Sequence, residues 1–156
     1  MPLLAYLLTW TTYGTRVHGD ERGSVDDAHN TPGTDALLPD PSREARVAVS
    51  MAEGPFVLDG QMRELVTRAI EDHARLRGWR IDALNVRSNH VHVVIAAPSH
   101  APAVVVAQLK SWATRRLRES GAIGTRKRVW TKMASTRYIN TEASRLAAVD
   151  YVRNHQ

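Results

Sequence analysis

Apolar and polar positions alternate in some stretches of the chain and recur every three or four residues in others, and the two periods divide it into elements. Tyr6 to Thr12 (Tyr-Leu-Leu-Thr-Trp-Thr-Thr) is aromatic and β-branched and predicts a strand, ended by Tyr13-Gly14-Thr15. Arg16 to Pro55 is dense in glycine, proline, aspartate and serine, with no sustained period beyond a short helix predicted over Ser42 to Met51. So long a connection is unusual inside a compact domain, and 16–58 reads as a loop insertion. Met62, Leu65, Val66, Ala69, Ile70 and His73 then recur at helical spacing, with Asp59 placed to cap and Gly78 to stop the helix. Trp79 to Val86 predicts a second strand, Arg87-Ser88 a turn, and His90 to Ile95 a third strand closed by Pro98.

Val104 to Glu119 predicts a second long helix on Val105, Leu109, Trp112, Ala113 and Leu117. A basic loop from Gly121 to Lys127 leads to Val129-Trp130 and Thr136 to Ile139, read as a last strand. Thr141 is placed to cap a final helix to about Asn154. With the insertion and the terminal segment 141–156 set aside, the order is β-α-β-β-α-β. An α+β fold is therefore expected, a ferredoxin-like split antiparallel sheet in a single domain over 1–156. The third strand should pair with the first near the sheet centre, with the helices on one face and the other face left for a site.

Composition narrows the class. At 156 residues and 43% hydrophobic, with four tryptophans, the chain can bury a core. It has no cysteine, which excludes disulfides and thiolate metal sites. No apolar run approaches the roughly 20 residues of a membrane span, and the start lacks signal-peptide features. A soluble cytoplasmic protein is the expectation. The net charge of +5 is unevenly placed: nine acids against three arginines from Asp20 to Asp59, then nine basic residues against Glu119 alone from Lys110 to Arg137. A basic second half suits a polyanion such as nucleic acid. Lys110, Arg115, Arg116, Arg126, Lys127 and Arg128 are the candidate phosphate contacts. Trp10, Trp79, Trp112 and Trp130 could stack on bases, although core packing is the plainer role for each.

The chemistry concentrates at two places. In Ser88-Asn89-His90-Val91-His92-Val93-Val94-Ile95, a period of two puts Val91, Val93 and Ile95 on one face and His90 with His92 on the other, roughly 6.5–7 Å apart. Paired neutral imidazoles suit a divalent cation, while two half-exposed histidines are the plainer reading of any single His-x-His. On the last helix Tyr151 and His155 are four apart and share a face, turned away from Leu146, Val149 and Val152. A tyrosine there could act as a nucleophile on a phosphodiester. The rival, Tyr138, sits in the apparent last strand.

These features together resemble the HUH single-tyrosine transposases, including the REP-associated tyrosine transposases. The likeness covers nearly the whole chain, through Thr11-Thr12-Tyr13-Gly14-Thr15, His18-Gly19-Asp20-Glu21-Arg22-Gly23-Ser24, Asn85 to Val94, Val129-Trp130 and Tyr151-Val152. The resemblance implies a metal-dependent nickase and strand transferase for single-stranded or hairpin DNA. His90, His92 and a helix residue would hold Mg²⁺ or Mn²⁺, and Tyr151 would form a 5′-phosphotyrosyl link. It also implies a homodimer in which tyrosine helices can complete each other's sites. The family often has glutamine four residues after the tyrosine as third metal ligand; here that position is His155, with Gln156 next. A domesticated hairpin-binding relative, a simple RNA- or DNA-binding ferredoxin-like domain and a two-histidine phosphoesterase are the competing readings; the last lacks a second histidine motif.

Overall fold

The computed structural model describes residues 2–15 and 53–154. The short helix expected over 42–51, His18, His29, His155 and Gln156 lie outside the described residues. Among the described residues four strands and three helices follow in the expected order: β1 (Ala5–Thr11), α1 (Gly60–Arg77), β2 (Arg80–Val86), β3 (His90–Ala96), α2 (Pro102–Glu119), β4 (Ser135–Ile139) and α3 (Glu142–Asn154). The strands form one antiparallel sheet in the order β2-β3-β1-β4, so the histidine strand does lie beside the first strand.

Local chemistry accounts for the helix ends. Asp59 Oδ1 accepts from the Met62 N–H at 2.8 Å, satisfying one of the donors α1 cannot bond internally. Gly78 closes the helix with φ of 77° and donates back to the carbonyls of Ala74 and Arg75. α2 begins at Pro102, two residues earlier than the periodicity suggests, because a first-turn proline forfeits no helical hydrogen bond. Val129-Trp130 stays outside β4 and joins the sheet through an isolated bridge from Trp130 to Thr12.

The period of two in the strands separates two cores. Leu8, Trp10, Val91, Val93 and Ile95 face α1 and α2 and join Val66, Ile70, Leu109 and Leu117 in the larger core. Each such side chain, fully buried, contributes roughly 1.5–3 kcal/mol. Ala5, Leu7, Ala83, Val94 and Ile139 face the other way and are covered by Ala148 and Val152 of α3. The second face is therefore not left free, as the helix pattern suggested: α3 lies over its apolar end, and only its histidine end stays polar. No helix among the described residues is long and apolar enough to cross a membrane.

The two described ends of the insertion are fastened together. Phe56 N–H donates to Tyr13 O at 2.8 Å. Arg126 donates to the carbonyls of Glu53 (3.0 Å) and Gly54 (2.5 Å) and stacks over Phe56 at 4.8 Å. The Glu53 carboxylate in turn accepts the backbone N–H groups of Lys127 and Arg128, each at 2.7 Å. Gly14 makes the close approach feasible: at φ +81°, a Cβ there would lie 2.6 Å from Pro55 Cα. Gly14→Ala should cost about 2–4 kcal/mol in urea denaturation, from left-handed strain plus overpacking. Gly124→Ala, also left-handed but with nothing within 4 Å, should cost only about 1–2 kcal/mol. Equal losses for the two would show that the Pro55 contact is not limiting.

Candidate active site

Antiparallel register puts a polar row across the whole sheet. His92 pairs with Thr9 on β1 and with Asn85 on β2, and Thr9 pairs in turn with Ser135 on β4. The row Ser135-Thr9-His92-Asn85 thus lies on one face, and the neighbouring Thr11–His90 pair extends it. Asn85 reaches this face through a break in β2: Ile81 pairs with Ile95 but Ala83 with Val94, leaving Asp82 as an extra residue. The bulge reverses which side chains point where, so Ile81 packs on the larger core while Ala83 and Asn85 turn to the histidine face.

The two imidazoles are close, ring centroids 4.8 Å apart at 73°. Each is held through Nδ1, by Asn89 Oδ1 at 2.7 Å for His90 and by Thr9 Oγ1 at 2.8 Å for His92. The Asn89 oxygen only accepts, so His90 Nδ1 donates and the neutral ring carries its lone pair on Nε2. The Thr9 hydroxyl can play the same accepting part for His92. His92 is 7% exposed. Burial, with the charges of His90 and Arg87 adding to it, lowers its pKa from 6.5 to about 4, which keeps the ring neutral at physiological pH.

Tyr151 of the same chain completes the group. Its ring stands edge-to-face against His92, centroids 5.5 Å apart at 78°. At about 100° per residue Tyr151 lies some 60° from Ala148, on the flank of the stripe that α3 buries. That stripe is Ala148 and Val152, whereas Leu146 is 55% exposed. Val152 and the half-buried Val149 pack as the periodicity implied, but Ala148 takes the place expected of Leu146, so the tyrosine borders the buried stripe. Tyr138, the rival nucleophile, pairs with Tyr6 and makes an edge contact with its ring at 5.5 Å, which puts it on the opposite face of the sheet.

A family model described as "Transposase IS200 like" matches residues 46–155. The chain belongs to that family. No curated protein matches it. Among solved structures it is similar to a REP-associated tyrosine transposase bound to a REP hairpin, with a TM-score of 0.54 and 12% identity over 97% of this chain and 66% of that one. It thus spans slightly under two thirds of that protein. A protein from Deinococcus radiodurans assigned as a transposase aligns with a TM-score of 0.50 and 18% identity, over 100% of this chain and 93% of that one. Both likenesses concern the fold, and it is the α+β antiparallel arrangement expected from the sequence.

In this IS200-like transposase the donor set fits a divalent ion in part. His90 and His92 could each offer Nε2 to a cation, with both rings oriented through Nδ1 by second partners. Among the described residues no group of three or more His, Cys, Asp or Glu converges. Further ligands would have to come from phosphate oxygens, water or residues outside the described ones.

The predicted phosphate contacts are not brought together with the histidines. Lys110 is turned onto the carbonyls of Thr131 (2.8 Å) and Met133 (3.4 Å), where burial lowers its pKa. Arg126 is engaged in fastening the insertion. Arg116 bonds Asp72 at 3.1 Å, and Arg115 bonds Glu119 at 3.3 Å while stacking over Trp112 at 4.7 Å. Lys127 and Arg128 follow Arg126, and Arg128 lies 5.7 Å from the Tyr13 ring centre. The sequence reading gave no site role to Thr9, Asn85 or Asn89; the polar alternation Thr9–Thr11 beside Leu8–Trp10 is the signal that flags the first.

The His92 shift makes stability pH-dependent. The unfolded ring takes up its proton near 6.5 and the folded ring only near 4, so the unfolded state binds more protons in between. Stability should fall by about 1–3 kcal/mol as pH drops from 6.5 to 4 and be insensitive to this group above 6.5. His92→Gln should flatten that slope in urea titrations at several pH values; an unchanged slope would exclude His92 as its source.

Proposed function

We propose that this chain is a metal-dependent single-strand DNA endonuclease and strand transferase of transposase type, with Tyr151 as nucleophile and His90 and His92 as metal ligands. The observation that carries the reading is the His92–Tyr151 ring contact beside the His90–His92 pair, which joins strand and terminal helix in one chain. In the proposed reaction the Tyr151 oxygen attacks a backbone phosphorus as its phenol proton passes to solvent. The bond from phosphorus to the 3′ oxygen breaks and that oxygen takes up a proton. The products are a 5′-phosphotyrosyl link and a free 3′-OH, and attack by another 3′-OH reverses the steps on a new strand. Mg²⁺ or Mn²⁺ bound at Nε2 of His90 and His92 would polarise the scissile phosphate. His155, four residues past Tyr151, is the proposed further ligand.

Single-stranded or hairpin DNA is the proposed substrate, the chain acting as one domain in the cytoplasm and as a homodimer. The basic surface of α2 and the following loop, including Arg115, Arg116, Lys127 and Arg128, is proposed to contact phosphates away from the site, giving salt-dependent affinity. Lys110 and Arg126, engaged internally, would contribute less than the sequence suggested.

Incubation with single-stranded hairpin oligonucleotides and Mn²⁺ should give a covalent protein–DNA adduct that Tyr151→Phe abolishes. An adduct persisting in that variant would exclude Tyr151 as nucleophile. His90→Ala and His92→Ala should abolish cleavage and leave hairpin binding largely intact; normal cleavage by both would refute the metal assignment. Because Tyr151 meets His92 of its own chain, mixing His92→Ala with Tyr151→Phe should restore no activity. Restored adduct would mean that the helix completes a partner's site.

A further inference from the structure

The last four carbonyls of any α-helix have no partner within the helix, and Val152 O is one of those in α3. It accepts instead from Asn85 Nδ2 at 3.0 Å. Val152 follows Tyr151 directly, and Asn85 stands opposite His92 in the sheet register. One side-chain amide therefore ties the helix turn carrying the tyrosine to the strand position beside the histidine.

Other polar contacts between α3 and the sheet run through Asp82. Its carboxylate meets Arg145 at 3.5 Å and Arg80 at 2.8 Å, and its carbonyl accepts from Arg153 at 3.3 Å. Arg145 lies one to two turns before Tyr151, so that ion pair anchors the body of the helix. Arg153 is a long exposed side chain, a compliant restraint on the last turn. Ala148, Val149 and Val152 supply the apolar contact with the sheet. The short Asn85 side chain, held on a strand, is the stiff connection at the C-terminal end. It is on the histidine face only because of the bulge at Asp82.

We propose that Asn85 is a positioning residue for the nucleophile: its amide fixes the axial position and roll of the last turn of α3, and so the placement of Tyr151 over His92. The proposal rests on the tyrosine reading above for its catalytic consequence, but its geometric content does not. Misplacement of a reacting group by about 1 Å can cost on the order of a hundredfold in rate. Asn85→Asp keeps the size and replaces the donor with an acceptor facing the Val152 carbonyl. Asn85→Ala removes the tie without repulsion.

The test is proton NMR of the full chain, following cross-relaxation between the Tyr151 and His92 rings, with the core methyls of Val91, Val93 and Ile95 as reporters of the fold. Wild type and Tyr151→Phe should both show the ring contact. Asn85→Ala and Asn85→Asp should lose it while the methyl signals stay in place. Single-turnover adduct formation on an oligonucleotide that wild type cleaves should then fall on the order of a hundredfold with unchanged oligonucleotide affinity. A ring contact that survives in both variants overturns the proposal. Core methyls that shift together with the rings overturn it too, by showing a general structural role. If the ring contact is lost as expected but wild type itself forms no adduct, the positioning stands and the reaction assignment fails.

Discussion

Pairing of β3 against β1 is the constraint on which the rest of the structure depends. With a period of two, the register that buries Val91, Val93 and Ile95 against Leu8 and Trp10 necessarily turns His90 and His92 to the other face, beside Thr11 and Thr9. A slip by one residue would bury both imidazoles among α1 and α2 and expose the valines, so the larger core enforces the histidine geometry. The second face then divides itself: Leu7, Val94, Ala83 and Ile139 are apolar and recruit α3, while the next row is polar throughout. The terminal helix docks where it can bury Ala148 and Val152, and that docking delivers Tyr151 to the edge of the polar row.

Charge follows from the same arrangement. Burial disfavours protonation of His92. With Nδ1 of each ring committed to Thr9 or Asn89, Nε2 is the nitrogen that could bind a cation. On the proposed reading, the Tyr151 phenol is then the group that forms the covalent bond. The acidic residue closest to α3 in role, Asp82, is occupied by Arg80 and Arg145 and serves the docking of the helix.

Much of this was legible in the sequence. The alternation through His90–Ile95 and the helical spacing from Met62 to His73 gave the elements, and their order gave the topology. Tyr151 was singled out by its place on the last helix. Other parts were not legible, for physical reasons. The bulge at Asp82 reverses the facing of Ala83 and Asn85, and no local pattern in Arg80–Val86 announces it. The buried stripe of α3 is set by tertiary contact with Ala83 and Val94, which favours small Ala148 over Leu146. Charge counting treated all basic residues alike, whereas Lys110 and Arg126 bond backbone carbonyls that only the folded chain brings within reach. Cross-strand partners such as Thr9, distant in sequence from His92, appear only once register is known.

The central proposal is that the two imidazoles hold a divalent cation beside the Tyr151 nucleophile. It is tested most directly by titrating the protein with Mn²⁺ and observing paramagnetic broadening of assigned side-chain resonances, with and without a short single-stranded oligonucleotide. The account predicts that His90, His92 and Tyr151 broaden first and together, at lower Mn²⁺ when the oligonucleotide is present. Earlier broadening of His73 or His100, with the Tyr151 ring unaffected, would contradict it.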